Sequence, residues 1–264
     1  MYAGIVETHC HYDDEAFDND RDDIIKELKN SKIEYAVNVS SSLGSIKSTI
    51  ALSEKYDFIY AASGVHPDDI EDLNEETFIE LENSLSNNKV VAVGEIGLDY
   101  YWQKDPDIRK QQRIWFLRQL EMAKSHNLPV IIHSREAAAD TIEVLKKADL
   151  MPNQAVMHCF SYSQEIANIV LDMGFYLGIG GVVTFKNAKK LKEIVTNTPL
   201  DRILLETDCP YLAPEPKRGK RNDSRNLIYV AQQIADLKGL DVQKVIQTTA
   251  KNAKSFYNLS SGEL

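Results

Sequence analysis

Cysteine is scarce in this sequence: Cys10, Cys159 and Cys209 are the three among 264 residues. So few cysteines exclude a disulfide framework of the kind found in small secreted domains. No apolar stretch approaches the roughly eighteen residues that a membrane-spanning helix needs. The first residues also lack the basic and then apolar segments of a secretory signal. We therefore expect a cytoplasmic protein that does not enter a membrane.

The chain also lacks an excess of positive charge. It has 30 Lys and Arg against 40 Asp and Glu, and a formal net charge of −10. This balance argues against a protein that coats nucleic acid over a broad surface, although it allows a local basic patch. No low-complexity segment or Pro-rich linker marks a boundary, so the sequence predicts one domain over residues 1–264, and we expect a monomer.

Short apolar runs recur along the chain, and each is followed by an amphipathic segment that carries charge. The runs are typical of buried parallel strands, and residues 109–125 are an example of the helical segments. Eight such units predict a (β/α)₈ barrel of the α/β class, with a doubly wound sheet as the alternative. The predicted strands are residues 4–9, 35–40, 58–66, 90–97, 128–134, 154–160, 175–181 and 202–208.

Histidines and acids stand at the ends of these runs. The chemistry of such barrels is at the carboxyl ends of the strands, and five of the six histidines lie there, whereas His126 is interpreted as a surface residue. The two histidines of "VETHCHYDD" have the spacing that puts both side chains on one side of a strand. Imidazoles and carboxylates of this kind bind zinc, manganese, iron or magnesium. The candidate ligands are His9, His11, Glu95, His133, His158 and Asp208.

Six segments together closely resemble the TatD-type deoxyribonucleases, a branch of the amidohydrolase superfamily. They are "ETHCH", "GVHPDD", "VGEIGLDYY", "VIIHSREA", "MHCFS" and "LLETDCPYLAP…RGKRND". The resemblance covers essentially the whole chain, with the motifs in order at the strand ends. It implies a metal-dependent phosphodiesterase on a (β/α)₈ barrel that acts on DNA as a 3′-to-5′ exonuclease.

The resemblance also implies how two divalent ions, Mg, Mn or Zn, would be bound. His9, His11 and Asp208 would bind one ion, His133 and His158 the other, and Glu95 would bridge them. The chain departs from the family at Asp68, where a histidine is common, and this acid weakens the case for a phosphate contact from that loop.

Several further residues are candidates for the chemistry. Asp208 can accept a proton from the attacking water, so Asp208 and Glu95 are the predicted catalytic residues. His66, at the end of the third strand, is a substrate-binding candidate. Glu7 and Glu206 share the strand parity of His9 and Asp208 and are expected below the metals. There they either orient ligand histidines or form a structural polar layer bonded to Lys or Arg.

Two basic features are candidates for binding phosphate. Ser134 is predicted to be a helix N-cap, which places Arg135 in the first helical turn, where a cation opposes the helix dipole and suggests an anion partner. The alternative is a plain surface arginine. The segment "PKRGKR" is predicted to follow the phosphates of a strand, or else to be a solvated loop. Its basic residues are Lys217, Arg218, Lys220 and Arg221.

An aromatic segment and the cysteines also lie near the predicted site. The aromatic segment "YYW" at residues 100–102 either stacks on an unpaired base or covers the barrel rim. The cysteines beside the ligands have the wrong strand parity to share a metal with them, and we interpret them as small packing residues.

Three functions fit these observations. The leading hypothesis is a nuclease that acts on DNA, with RNA as an alternative substrate. It prefers single-stranded ends, because a closed barrel presents a pit and unpaired ends need no base pairs opened. The second is an ester hydrolase with the same metals, such as a D-aminoacyl-tRNA deacylase. The third is a non-enzymatic nucleic-acid-binding scaffold, against which the intact ligand set argues.

Overall fold

The predicted apolar runs form one parallel sheet. The computed structural model describes residues 4–259, and its strands pair in chain order, each parallel to the next. The strands are β1 (Ile5–Cys10), β2 (Ile33–Val39), β3 (Ile59–Ser63), β4 (Val90–Asp99), β5 (Val130–Arg135), β6 (Ala155–Met157), β7 (Tyr176–Ile179) and β8 (Ile203–Leu205).

The first and last strands of this sheet meet and close it. The amide of Asp208 donates a hydrogen bond to the carbonyl of His9 at 3.0 Å, and the amide of His11 donates to the carbonyl of Cys209 at 2.9 Å. Closure in chain order confirms the predicted (β/α)₈ barrel. The doubly wound alternative is wrong, because that fold has two open edges and its strand order reverses partway across the sheet.

Helices follow the strands and cover the outside of the barrel. The helix predicted at residues 109–125 begins earlier, at Pro106, because the side chain of Asp105 caps it by accepting a hydrogen bond from the amide of Asp107. The helices are α1 (Arg21–Asn30), α2 (Leu43–Lys55), α3 (Glu75–Ser84), α4 (Pro106–Ser125), α5 (Ala138–Ala148), α6 (Gln164–Asp172), α7 (Lys189–Asn197), α8 (Leu227–Lys238) and α9 (Val242–Phe256). Within residues 4–259, none is both long and apolar enough to span a bilayer.

Two glycines allow the close approaches that the barrel interior needs. A Cβ on Gly97, whose φ is +151°, would lie 1.9 Å from the carbonyl oxygen of His133. A Cβ on Gly178 would lie 2.3 Å from a carboxylate oxygen of Glu206. Any other residue at these positions would therefore push β4 away from β5 or displace a buried acid.

The predicted N-cap at Ser134 is wrong. β4 continues to Asp99 and pairs with β5 as far as Arg135, so both Ser134 and Arg135 belong to a strand. α5 begins only at Ala138. Arg135 therefore does not lie in the first turn of a helix, although it still lies at the carboxyl end of a barrel strand, beside the predicted ligands.

Candidate metal centre

His9 at the end of β1 and His11 just after it direct their imidazoles to the same place. The Nε2 atoms of His9 and His11 are 3.1 Å apart. Asp208 Oδ1 lies 3.3 Å from His11 Nε2 and 3.8 Å from His9 Nε2. Ligand atoms of a tetrahedral zinc ion are roughly 3.3 Å apart when each bond is about 2.0–2.1 Å. These three side chains thus have the size and chemistry of the binding site for one ion.

A backbone contact sets which nitrogen of His11 is available. His11 Nδ1 is 2.8 Å from the carbonyl oxygen of Val39, an acceptor that requires the hydrogen to be on Nδ1. The lone pair of the neutral ring is therefore on Nε2, which faces His9 and Asp208. Such contacts behind a ligand histidine fix its tautomer and its ring orientation.

Glu95 lies between two groups of ligands. Its Oε2 is 3.4 Å from His9 Nε2. Its Oε1 is 2.7 Å from His133 Nδ1 and 3.7 Å from His158 Nε2. Each carboxylate oxygen thus faces a different set of imidazoles, which is the arrangement expected of a bridging ligand.

The charges of the centre favour bound cations. Burial raises the pKa of Glu95, but the positive charge of His158 and hydrogen bonds from His133 and His9 outweigh burial and hold this pKa well below its usual value. Burial lowers the pKa of His11, but its hydrogen bond and attraction to Asp208 raise it to about 9. Ionised carboxylates here hold protons on neighbouring imidazoles, and a divalent ion would displace those protons.

His66 joins this centre from the loop after β3. Its Nε2 lies 4.0 Å from Glu95 Oε1, and burial lowers its pKa to about 3, so the ring is neutral. Its Nδ1 accepts a hydrogen bond from the amide of Asp68 at 3.2 Å. The hydrogen of the neutral ring is therefore on Nε2, where it can be donated to a substrate. His66, Glu95 and His133 also have ligand atoms within 4.8 Å of one another, so the ring lies within reach of a metal ion as well as of a substrate, and its substrate-binding role stays a prediction.

The two buried acids predicted below the metals act differently. Glu206 accepts a hydrogen bond from the amide of Cys159 at 2.6 Å, and its other oxygen lies 3.2 Å from His158 Nδ1. Glu7 accepts hydrogen bonds from the amides of Thr207 and His9, and burial raises its pKa to about 7. Glu206 thus orients the ring of His158, whereas Glu7 holds the backbone of β1 against Thr207, just after β8.

Neither Glu7 nor Glu206 has the Lys or Arg partner that a structural polar layer would require. Among residues 4–259, no Lys or Arg forms an ion pair with Glu7 or Glu206. They accept hydrogen bonds from uncharged groups, which include the amides of His9, Cys159 and Thr207 and the hydroxyl of Thr207.

Sequence reasoning missed Asp99. This buried acid lies 3.1 Å from His133 Nε2 through Oδ2, opposite the nitrogen that faces Glu95. The predicted fourth strand ended at residue 97, two residues short of Asp99. The signal was nevertheless present, because residues 95, 97 and 99 of an extended strand share one face.

The interpretation of Cys159 as a packing residue is incomplete. Its sulfur and donor atoms of His158 and Asp208 all lie within 4.8 Å of one another. Side chains alternate between the two faces only along a regular strand. β6 ends at Met157, however, and Cys159 has a φ of +45°. This left-handed residue breaks the alternation of side chains and turns the thiol toward the centre.

The basic loop between β8 and α8 divides into two parts. Lys217, Arg218 and Lys220 are exposed. Arg221 instead binds the carboxylate of Asp20 at 2.8 and 2.6 Å. Arg221 therefore anchors the loop to the segment before α1, and the other three residues remain available to a phosphate backbone.

A cavity of about 500 Å³ opens over the ligands. One wall is the amino end of α2, a region of positive dipole that attracts anions. Its lining residues are His11, Asp13, Asp14, Val39, Ser41, Gly44, Ser45, Ser48, His66, Glu95, His133, His158, Asp208 and Tyr211.

The fold and the ligand set define a metal-dependent hydrolase on a (β/α)₈ barrel. The family model described as "TatD related DNase" matches residues 6–258, and the chain belongs to this family.

Relatives of similar length share the fold and the class. An uncharacterized metal-dependent hydrolase, YabD of Bacillus subtilis strain 168, is 44% identical over 97% of this chain and 100% of its own length. YcfH of Escherichia coli K12, described in the same words, is 34% identical over 98% of each chain. The crystal structure of YJJV, a TatD homologue from Escherichia coli K12, covers 97% of this chain and 98% of its own, with a TM-score of 0.91 and 30% identity.

Proposed function

We propose that the protein is a metal-dependent deoxyribonuclease that removes nucleotides from the 3′ end of DNA and prefers unpaired ends. The observation that carries this proposal is the position of Glu95 between two groups of imidazoles, at the floor of a cavity with an anion-attracting wall. Because the chain belongs to the family described as TatD-related DNases, a phosphodiester is the substrate that requires the fewest further assumptions.

The residues fit two divalent ions. His9, His11 and Asp208 would hold one, His133 and His158 would hold the other, and Glu95 faces both groups of residues through separate carboxylate oxygens. When bound, such ions withdraw charge from a phosphate and make water more acidic. Two ions and two carboxylates would leave a net charge of about +2, which attracts a phosphodiester.

The protein's own side chains account for the proton movements. Hydrogen bonding from His11 and the nearby imidazoles outweigh burial and lower the pKa of Asp208, so this carboxylate is ionised and can accept a proton from water as the oxygen attacks phosphorus. The P–O3′ bond breaks, and the departing 3′ oxygen takes up a proton from solvent, which in turn recovers the proton that Asp208 accepted. The Nε2–H group of His66 donates a hydrogen bond to a phosphate oxygen, and the positive dipole at the amino end of α2 attracts the same phosphate.

The barrel favours a strand end as substrate. Its cavity lies at one end of a closed ring of strands, and its volume of about 500 Å³ is that of a small-ligand pocket, not of a groove for a duplex. A free end can enter such a pit. An unpaired end enters more easily, because no base pairs have to be opened.

One experiment separates this proposal from the ester-hydrolase alternative, which uses the same ligands. Metal-free protein would be reconstituted separately with Mg²⁺, Mn²⁺ or Zn²⁺ and offered a labelled single-stranded DNA and a D-aminoacyl-RNA side by side. We expect shortening of the DNA from its 3′ end, abolished in Asp208→Asn. Release of the amino acid with intact DNA would favour the deacylase. Inactivity on both would contradict the proposal.

A further inference from the structure

Two large aromatic side chains on the rim remain exposed. Tyr101 and Trp102 follow β4, and they are 40% and 66% exposed. Their rings meet edge to face, with centroids 4.7 Å apart and planes at 84°. Trp102 is the more exposed of the two, and an aromatic face open to solvent is the kind of surface on which nucleic-acid-binding proteins stack unpaired bases.

A guanidinium group is fixed beside these rings. The Cζ atom of Arg135 lies 3.8 Å from the centroid of Tyr101 and 5.6 Å from that of Trp102. For the part of the chain that the structure describes, this guanidinium has neither a hydrogen bond nor an ion pair to the protein. Stacking thus holds the group in place while its donors stay available, the state in which an arginine binds a phosphate with two hydrogen bonds.

Asp99 connects the aromatic segment to the metal centre. Its Oδ1 accepts hydrogen bonds from the amides of Tyr101 and Trp102, at 2.8 and 3.1 Å. Its Oδ2 contacts His133 at 3.1 Å. Arg135 is two residues beyond His133 on β5, so both side chains emerge on the same face of the strand. The two aromatic rings, the guanidinium group and His133 are therefore held in fixed positions relative to one another.

We propose that Tyr101, Trp102 and Arg135 form a nucleotide subsite at the entrance of the cavity. The open face of Trp102 stacks on an unpaired nucleobase, Tyr101 holds Arg135 in place, and Arg135 binds the phosphate attached to the same nucleotide. This inference rests on the proposed function in that the ligand is a nucleic acid strand. It also supplies a physical reason for preferring unpaired ends, because a base inside a duplex has no free face to offer the rings.

Binding can be tested without catalysis. The chain has two tryptophans, and Trp115 is buried on α4, where its ring faces Phe78. Trp115→Phe leaves Trp102 as the reporter. With metals chelated, we expect a thymidine tetranucleotide to quench its fluorescence. A tetranucleotide with the same phosphates but no bases should bind roughly 5- to 150-fold more weakly, without the quench. Equal affinities for the two would overturn the proposal.

Turnover gives the second readout. In the metal-loaded wild type, kcat/KM should be higher for a normal single strand than for one with abasic 3′ nucleotides, and Trp102→Ala should bring this ratio close to one. Met151→Ala is the control, because Met151 is 64% exposed but lies before β6, at the opposite end of the barrel. An unchanged ratio in Trp102→Ala would mean that the rings only cover the rim.

The two readouts also separate this inference from the function. Quenching that requires bases, in a protein that does not cleave DNA, would support the subsite and contradict the nuclease. Cleavage that is indifferent to the bases would support the nuclease and overturn the subsite. For Arg135→Gln we expect the quench to remain and the salt dependence of log Kd to fall by about one phosphate contact. An unchanged salt slope would overturn the role of Arg135.

Discussion

Asp99 Oδ2 lies 3.1 Å behind His133 Nε2, while His133 Nδ1 is 2.7 Å from Glu95 Oε1. A carboxylate behind a ligand imidazole fixes the ring and increases the basicity of the nitrogen that faces the metal. Residues in such positions typically change metal affinity by about 10- to 100-fold when mutated. The contact therefore makes Asp99 part of the metal centre without being a ligand.

We accordingly expect Asp99→Asn to weaken metal binding by about 10- to 100-fold while the protein stays folded. The measurement is competition with a chelator of known affinity, with circular dichroism as the check on folding. Asp69→Asn is a matched control, because Asp69 is a nearby acid with no contact to a ligand histidine among residues 4–259. Wild-type affinity in Asp99→Asn would mean that the contact is incidental.

Glu95 should determine the metal stoichiometry. Its two oxygens face different groups of imidazoles, so reconstituted wild type should bind two ions per chain and Glu95→Ala at most one. Elemental analysis after removal of excess metal gives the answer. A wild type that never exceeds one ion per chain, together with an unchanged value in Glu95→Ala, would show that the bridging role is wrong.

Metal removal should lower thermal stability. The centre brings six candidate ligands from the ends of five strands together, and an ion that binds only the folded chain stabilises it by about 2.7 kcal/mol at 100 times its Kd. We expect the Tm to fall on chelation and to rise steadily with added Mn²⁺ or Zn²⁺. His11→Ala should reduce the rise caused by metal, whereas His126→Ala, at an exposed residue bonded to Glu82, should not. Equal Tm values with and without metal would contradict the ligand assignment.

The sequence predicted the barrel and the grouping of its candidate ligands because both depend on regular geometry. Parallel strands of a barrel end at one face, so His9, His133 and His158 could be placed together from apolar runs alone. This rule could not place Cys159, because Cys159 lies after the end of β6 and its own backbone is left-handed.

Other features depended on contacts that no local pattern contains. β5 continues to Arg135 because β4 continues to pair with it, which replaced the predicted N-cap. Arg221 was expected to bind phosphate with its neighbours, but it meets Asp20, which is 201 residues away in the chain. The cytoplasmic location and the monomeric state of the protein stay predictions.

The division of the basic loop leads to a separate prediction. Replacing Lys217, Arg218 and Lys220 with glutamine should raise KM and flatten its salt dependence, because fewer counterions are released on binding, while kcat changes little. Arg221→Gln should instead lower the Tm, since it loses the bond to Asp20. Asp20→Asn is its matched partner and should have a similar effect. A triple variant that lost only kcat, with salt dependence intact, would contradict this division.

The last prediction concerns Asp208 and the direction of cleavage. Asp208→Asn is nearly isosteric and should fold, but it removes the proton acceptor next to His11 and weakens the ligand set. Because a general base contributes roughly 10²- to 10⁴-fold, we expect kcat to fall by at least this amount at saturating metal.

A time course on 3′- and 5′-labelled single strands, a blunt duplex and a closed single-stranded circle measures both the rate and the direction. The single strands should shorten from the 3′ end faster than the duplex, because unpaired ends enter the cavity without strand opening. Rapid nicking of the circle would rule out entry by a strand end. Undiminished turnover in Asp208→Asn would remove Asp208 from the mechanism.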